Sequence, residues 1–200
     1  DQRDGASGVG TTTILMAFAA RLGYEVTGVS PLSFNSDKGE WEAAGSETRT
    51  GSVRLSLLQD GRRVTLDYIS LDLSDSALKA AEPKMAWIRQ MAAHPLLLKA
   101  ASHLLQQPNF TVLRDALVAN ASMVVQDETG LNYKDLSKIG PVRLYGRFSK
   151  THPLFTTTSQ PELAVAYRAE KEPRDLPFAF SYLKTADSRS LQVVRRSPAN

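Results

Sequence analysis

Residues 52–73 read SVRLSLLQDGRRVTLDYISLDL, and this stretch has the strongest local folding pattern of the chain. Two extended runs rich in apolar residues flank Asp60-Gly61, a dipeptide that favours the tight two-residue turn of a β-hairpin. Side chains alternate between the two faces of a strand, so the apolar residues of the second run share one face: Val64, Leu66 and Tyr68. The stretch therefore predicts a β-hairpin.

Helical and extended patterns alternate on both sides of this hairpin. Before it, residues 11–23 have apolar positions at helical spacing and end at Gly23, and residues 24–34 read as a strand. After it, the patterns predict a helical stretch over 76–93, in which Pro83 either starts a second helix or kinks one, and helices over 109–121 and 159–172. They also predict strands over 122–130, 141–149, 176–184 and 191–197. We expect Asn109 to cap the helix over 109–121. Interleaved elements of this kind predict a mixed α/β fold with helices packed on a sheet.

Composition limits the class of protein. The chain has 200 residues, 42% of them hydrophobic and 22% charged, which fits one globular domain over residues 1–200. The segment 35–52 is rich in small and charged residues, and we expect it to be a mobile loop. Because the chain starts at Asp1 without a signal-like segment, we expect it to be part of a longer or processed protein.

Charge and residue counts exclude several function classes. The absence of cysteine excludes disulfides, iron–sulfur clusters, thiolate metal sites and cysteine nucleophiles. No apolar run approaches the roughly 18 residues that cross a bilayer, so no transmembrane segment is expected. The net charge is only +3 and the basic residues are scattered, so nucleic acid is not an expected partner. The three histidines lack the spacing of metal ligands, and we expect no metal and no cofactor.

The opening DGASGVGTTT, residues 4–13, resembles a phosphate-binding loop in its glycine spacing. Gly5 and Gly10 stand at the expected positions, but Thr11 occupies the place of the lysine that neutralises phosphate. No apolar strand leads into the motif either. We therefore expect a glycine-rich start of a helix, and a degenerate nucleotide site remains as an alternative.

The densest set of chemically active residues lies in the second half of the chain. Arg143 and Tyr145, with Arg147, alternate along a predicted strand, so their side chains point to one face, where two guanidinium groups could hold an anion. Asp127 follows a buried strand, a place where sites of open sheets tend to lie. The candidate ligand-binding residues are Lys99, Ser102, Gln126, Asp127, Tyr133, Arg143 and Tyr145. The competing interpretation is that these side chains only satisfy a turn and a solvated sheet face.

These segments also resemble the C-terminal part of a family of bacterial hypothetical proteins. The shared patterns are Lys-x-x-Ser-x-Leu-Leu, Gln-Asp-x-x-Gly-x-x-Tyr and Leu-Tyr-Gly-x-Tyr. They match at Lys99, Ser102, Leu104, Leu105, Gln126, Asp127, Gly130, Tyr133, Leu144, Tyr145 and Gly146, whereas Phe148 stands in place of the last tyrosine. The resemblance covers residues 5–185. It implies no established activity, but members of the family often look exported and carry sequence upstream of this region.

We therefore expect a bacterial cell-envelope or periplasmic protein that binds a small anionic or glycan ligand. A small molecule is the expected partner, and no residue is assigned a catalytic role. The alternative from a different class is a hydrolase in which Asp127 or Asp72 supplies acid–base chemistry and Ser102 or a water molecule is the nucleophile. The cytoplasm is the alternative location.

Overall fold

The structure, a computed structural model, describes residues 7–45, 50–151, 160–172, 174–176 and 189–197. Helices alternate with strands along the chain, and the strands form two four-stranded sheets. This confirms the predicted mixed α/β fold. Contacts along the backbone group the chain into two compact units, residues 1–72 and 73–200. A single domain over residues 1–200 stays a prediction.

The first unit consists of one described helix and an antiparallel sheet with the strand order β2-β1-β3-β4. In chain order its elements are α1 (Ser7–Arg21), β1 (Glu25–Asn35), β2 (Glu40–Ala43), β3 (Val53–Gln59) and β4 (Arg62–Tyr68).

The predicted hairpin is confirmed as β3 and β4. Asp60 has a φ of 50° and Gly61 a φ of 75°, so both turn residues are in the left-handed region. This is the type I′ geometry that matches the twist of the two flanking strands. The register follows directly, with Leu55 opposite Leu66 and Leu57 opposite Val64.

Helix α1 packs on the apolar face that this register creates. Ala19, Leu55 and Leu57 are buried together, and Leu15 and Met16 pack against them. Gly23, with a φ of 85°, follows the helix and adopts the left-handed conformation typical of a helix C-terminus. The predicted helix and its glycine stop are therefore confirmed.

Part of segment 35–52, expected as a mobile loop, forms strand β2, which pairs with β1. The side chain of Asn35 accepts hydrogen bonds from the backbone N–H groups of Asp37 (3.0 Å) and Lys38 (3.2 Å). Phe34 and Trp41 meet edge to face across the pair, with ring centroids 5.4 Å apart. An asparagine turn and one aromatic pair thus order a stretch of otherwise polar sequence. Residues 46–49 lie outside the described residues.

The second unit has a sheet with the strand order β5-β6-β8-β7, in which β5 and β6 are parallel and the other pairs are antiparallel. Its strands are β5 (Pro95–Leu98), β6 (Met123–Gln126), β7 (Val142–Gly146) and β8 (Ser190–Arg195). Its α-helices are α2 (Asp75–Lys79), α3 (Glu82–Ala92), α4 (Thr111–Asn120), α5 (Tyr133–Leu136) and α6 (Pro161–Ala169), and short 3-10 helices span Ala101–Gln106 and Pro108–Phe110. The strand predicted over 176–184 lies outside the described residues except for Leu176.

The start of α4 differs from the sequence expectation. Asn109 does not cap this helix. The carboxylate of Asp75, at the start of α2, accepts hydrogen bonds from the Thr111 hydroxyl (2.6 Å) and the Val112 N–H (2.8 Å). The hydrogen bond to Thr111 lowers the pKa of Asp75 below its ordinary range. A carboxylate distant in sequence therefore supplies the cap, which local pattern analysis does not detect.

The two faces of this sheet differ in character. Val124, Gln126, Leu144, Gln192 and Val194 are buried on one face. The register places Arg143, Val193 and Val125 together on the other face, where Arg143 is exposed and the two valines are half-buried. None of the described helices is both long and apolar enough to cross a bilayer.

Candidate functional site

The turn after β6 carries the acidic residue that the sequence singled out, Asp127. Its side chain is fully buried. One carboxylate oxygen, Oδ1, accepts hydrogen bonds from the backbone N–H (2.9 Å) and the hydroxyl of Thr129, and the other, Oδ2, forms an ion pair with Lys99. The hydroxyl of Thr129 also accepts a hydrogen bond from the N–H of Ala100 (3.0 Å). Both oxygens of this carboxylate are therefore engaged inside the fold.

Gln126 holds the same turn from the buried face of the sheet. Its Nε2 donates to the carbonyl of Leu131 (2.8 Å) and to Oε1 of Gln192 (3.3 Å), while its Oε1 accepts from the N–H of Leu131 (2.9 Å). Gln192 in turn donates to the Tyr167 hydroxyl (3.2 Å), which donates to the carbonyls of Tyr145 and Leu191. Burial raises the pKa of Tyr167 to about 12, so it stays a neutral donor.

Glu128 is a second buried acid in the turn. Its Oε2 accepts a hydrogen bond from the Ser190 hydroxyl (2.7 Å). Burial raises the pKa of this carboxyl, and the hydrogen bond from Ser190 opposes that shift only in part. The backbone carbonyl of Glu128 accepts from the amides of Gln106 (3.0 Å) and Gln160. Side-chain amides from two distant segments therefore hold this turn.

The sequence-predicted residues around the turn thus fall into a closed hydrogen-bonded network. Lys99, Gln126 and Asp127 meet there, and Lys99 remains 37% exposed at its rim. The backbone N–H of Tyr133 donates to Oε1 of Gln160 (3.1 Å) beside the same turn. Ser102 lies in the 3-10 helix Ala101–Gln106, but its side chain is outside the described part of the structure. These side chains bind one another and the backbone of the turn. Such contacts fix the backbone in place, and they do not leave the groups open to exchange protons with a substrate.

Arg143 and Tyr145 do not join this network. The register pairs Leu144 with Gln192 and Gln192 with Gln126, so these three share the buried face, and Arg143 and Tyr145 point from the opposite face. The ring of Tyr145 is covered by the guanidinium of Arg174, whose Cζ lies 5.6 Å from the ring centroid. The sheet therefore places the side chain of Gln126 on one face and those of Arg143 and Tyr145 on the other.

Arg147, which alternation placed beside Arg143, lies beyond the end of β7. Gly146 has a φ of 75°, and a Cβ at this position would lie 1.8 Å from the carbonyl oxygen of Arg189. Only glycine fits such a close backbone approach in this conformation. The strand and its alternation stop at Gly146, so the strand pattern no longer fixes the face of Arg147.

A different arginine stands beside Arg143, namely Arg195 on β8. Pro141, Arg143, Val193 and Arg195 line a cavity of about 200 Å³, which we call the arginine notch. Gly140 makes this packing close, since a Cβ there would lie 2.3 Å from the carbonyl oxygen of Arg195. Both arginines of the notch are exposed, and neither forms an ion pair within the described parts of the chain.

The neighbouring arginine has a structural role instead. Arg196 donates from Nε to the carbonyl of Ala121 (2.9 Å) and from a terminal nitrogen to the carbonyl of Val118 (2.6 Å), at the C-terminal end of α4. Positive charge is favourable at a helix C-terminus. The two adjacent arginines of VVRRS, residues 193–197, therefore have different roles. Arg195 lines the notch, and Arg196 binds the C-terminal end of α4. Only the pairing register of β8 distinguishes the two.

The rival chemistries find little support in these positions. Asp127 is buried and fully hydrogen-bonded, unlike an acid–base group that must reach a substrate. Gly10 and Thr11 lie within α1, so their backbone belongs to a helix and not to an open phosphate loop; Gly5 lies outside the described residues. Where the structure describes side chains, it places no group of three or more His, Asp or Glu to hold a metal ion.

Comparisons with known proteins give no independent assignment. No family model, curated protein sequence or solved structure matches this chain. The resemblance to bacterial hypothetical proteins stays a prediction.

Proposed function

We propose that this protein binds a small anionic ligand, free or as the acidic group of a glycan, in the arginine notch. The observation that carries the proposal is the pairing of Arg143 and Arg195 in one cavity without an acidic partner among the described residues. Carboxylate, phosphate and sulfate groups share the chemistry that such a pair recognises. The proposed function is therefore the binding of a small anion.

Arginine suits this role better than lysine does. Its planar guanidinium presents paired N–H donors that match the oxygen atoms of a carboxylate or phosphate, and two such groups can surround one anion. On neighbouring strands, Arg195 lies two residues beyond Val193, the partner of Arg143, so the two side chains are diagonal neighbours on one face. That separation leaves room for an anion between them.

The cost of the arrangement also points to a ligand. Two like charges at neighbouring positions repel each other, and here no described acid relieves the repulsion. By contrast, Arg54 on the sheet of the first unit is neutralised by Asp67, with two hydrogen bonds of 2.7 Å. A bound anion would supply to the notch the negative charge that Asp67 supplies to Arg54.

The apolar residues of the notch restrict what surrounds the anion. Pro141 and Val193 contribute carbon surface beside the two guanidinium groups. A ligand with a charged group attached to a compact carbon skeleton would contact both kinds of surface. The volume of about 200 Å³ accommodates an acidic group and a few further atoms, so a small ligand or a single acidic substituent fits best.

We place this function in the bacterial cell envelope or periplasm. The support for this location is the resemblance to proteins that often look exported; the absence of cysteine suits the cytoplasm and the periplasm alike. Fractionation of cells that produce the full-length protein tests the location. Recovery in the periplasmic or envelope fraction supports it, and recovery with cytoplasmic markers contradicts it.

Isothermal titration calorimetry tests the ligand chemistry with sulfate, inorganic phosphate and acetate as probes. We expect saturable binding of at least one probe, weakened about tenfold or more by Arg143→Gln or Arg195→Gln, since each removes a charged hydrogen-bond donor. The matched control is Arg168→Gln, an exposed arginine of α6 that does not line the notch. Equal weakening by all three variants, or no binding of any probe, would refute the proposal.

A further inference from the structure

The first unit carries a second cavity, formed by β3, β4 and the irregular part of β1, with a volume of about 550 Å³. Thr27, Ser56, Leu58, Arg63 and Thr65 line it, together with Leu57 and Val64 from the face that α1 covers. This volume lies within the range of small-molecule sites. We call it the hairpin groove, because β3 and β4 form most of it. It belongs to a different unit from the arginine notch, so the inference below does not depend on the function proposed there.

The register explains why polar groups converge in the hairpin groove. Ser56 pairs with Thr65, and Leu58 pairs with Arg63, so these four side chains lie on one face of the hairpin. Leu55 and Leu57, packed under α1, occupy the other face. An irregularity between Val26 and Gly28 inserts Thr27 into the neighbouring strand, and its hydroxyl donates to the carbonyl of Ser56 (3.1 Å). The irregular strand therefore adds a third hydroxyl to the groove.

Arg63 differs from the other arginine on the same face. Arg54 stands opposite Asp67 and is neutralised by it, as described above. Arg63 stands opposite Leu58 and forms no ion pair with any residue that the structure describes. Beyond Leu58, on the same face, lies Glu25 of β1. Arg63 thus places a positive charge at one side of the groove, and Glu25 places a negative charge at the other side, where it disfavours an anionic group.

Gly28 keeps the floor of the groove low. It pairs with Ser56, and a Cβ there would meet the Ser56 side chain at 3.6 Å, an ordinary van der Waals distance. A Cβ is therefore tolerated at this position, and no positive φ requires glycine. A larger side chain at position 28 would extend from there beside Ser56 into the groove.

We infer that the hairpin groove binds an acidic sugar unit, one that carries a single carboxylate on a hydroxylated ring. The guanidinium of Arg63 would hold the carboxylate, the hydroxyls of Thr27, Ser56 and Thr65 would exchange hydrogen bonds with ring hydroxyls, and Leu58 would contact the apolar face of the ring. Glu25 disfavours a second negative charge, so polyanions bind less well than a single carboxylate does.

Nuclear magnetic resonance of the ¹⁵N-labelled full chain tests this inference, with sodium glucuronate, glucose and sodium acetate as probes at constant ionic strength. Glucuronate should produce saturable shifts at amides of β3 and β4. Glucose lacks the charge and acetate lacks the hydroxyls, so each should bind about tenfold more weakly or worse. Arg143→Gln should leave these shifts unchanged, because that residue belongs to the arginine notch.

Two variants and one control locate the site. Arg63→Gln should weaken glucuronate binding about tenfold or more, since it removes the charged donor. Gly28→Val should do the same by filling the groove with Arg63 still in place. Arg62→Gln makes the same charge change one residue away on the other face of β4, and should leave the affinity unchanged.

The inference is overturned if acetate shifts the amides of β3 and β4 with the same affinity as glucuronate, since charge alone would then explain the shifts. Equal weakening by Arg62→Gln and Arg63→Gln, or no saturable shift with any probe, would also overturn it. Should Gly28→Val lose the dispersed amide signals of a folded sheet, the comparison of Arg62→Gln with Arg63→Gln decides alone.

Discussion

Replacement of Gly130 by alanine tests whether the hydrogen bonds of Gln126 stabilise the turn after β6. A Cβ on residue 130 would lie 2.4 Å from Oε1, 2.7 Å from Cδ and 2.9 Å from Cβ of Gln126. Contacts under 3 Å with a buried side chain cannot be accommodated without movement. Gln126 must therefore leave its position, or the backbone of the turn must shift.

The cost follows from what Gln126 holds. Its amide makes two hydrogen bonds with the backbone of Leu131 and one with Gln192, at 2.8, 2.9 and 3.3 Å. Each such bond contributes about 1 kcal/mol net, and a buried group left without a partner costs more. We therefore expect Gly130→Ala to lower the free energy of unfolding of the second unit by about 2–4 kcal/mol.

The two tryptophans allow each unit to be followed separately. Trp41 lies in β2 of the first unit and Trp87 in α3 of the second. In a Trp41→Phe background, urea unfolding monitored by fluorescence reports on the second unit, and in a Trp87→Phe background it reports on the first. Gly130→Ala should move the transition seen by Trp87, and the transition seen by Trp41 shows whether the two units unfold together.

Gly10→Ala is the matched control. Gly10 lies in α1, and a Cβ there meets no atom within 4 Å. Alanine in a helix is more favourable than glycine by about 0.5–1 kcal/mol, so this change should stabilise the first unit. If Gly130→Ala lowers the free energy of unfolding by less than about 1 kcal/mol, the hydrogen bonds of Gln126 contribute little to the stability of the turn, and this role of Gln126 is refuted.

Three further predictions concern stability. Asp75→Ala should lower the urea midpoint of the Trp87 transition, because α4 loses its carboxylate cap, whereas Asn109→Ala should leave it unchanged; equal effects would contradict the capping assignment. Because burial raises the pKa of Glu128, its contribution to stability is present below the unfolded-state pKa of about 4.3 and is lost as pH rises through the raised folded-state value. As the pH rises from 4 towards neutral, wild type should therefore lose stability relative to Glu128→Gln, which cannot ionise. A stability difference independent of pH would exclude a buried, titrating acid. Gly61→Ala, at a φ of 75° with open space around it, should destabilise the Trp41 transition by about 1 kcal/mol through backbone strain alone, and no loss would contradict the type I′ turn.

Local chemistry made much of the fold predictable. The turn at Asp60-Gly61 and the glycine stop of α1 each depend on residues adjacent in sequence, and both are confirmed. Pro83 lies in the first turn of α3, so it starts a second helix, one of the two predicted outcomes. Where stabilising groups come from a distance, the sequence was a poor guide. The cap of α4 comes from Asp75, far upstream, and the strand inside 35–52 depends on the pairing of Trp41 with Phe34.

The candidate site shows the same division. Strand alternation predicts correctly that Arg143 and Tyr145 share a face of the sheet. It does not show that Gln126 lies on the opposite face, because that depends on the register between β7, β8 and β6. Arg195 was missed for the same reason. It is brought beside Arg143 only by the register of β8, and in the sequence it resembles Arg196, which has a different role.

The measurement that tests the central claim most directly is the response of the arginine side chains to an anion. With ¹⁵N-arginine labelling, the Nε–H signals of the full chain are followed during a sulfate titration, and Arg143→Gln and Arg195→Gln assign the two signals of the notch. Binding in the arginine notch predicts that these two signals shift together with one midpoint, while the signal of Arg168 stays in place. Independent midpoints for Arg143 and Arg195, or a uniform drift of all exposed arginines, would contradict it.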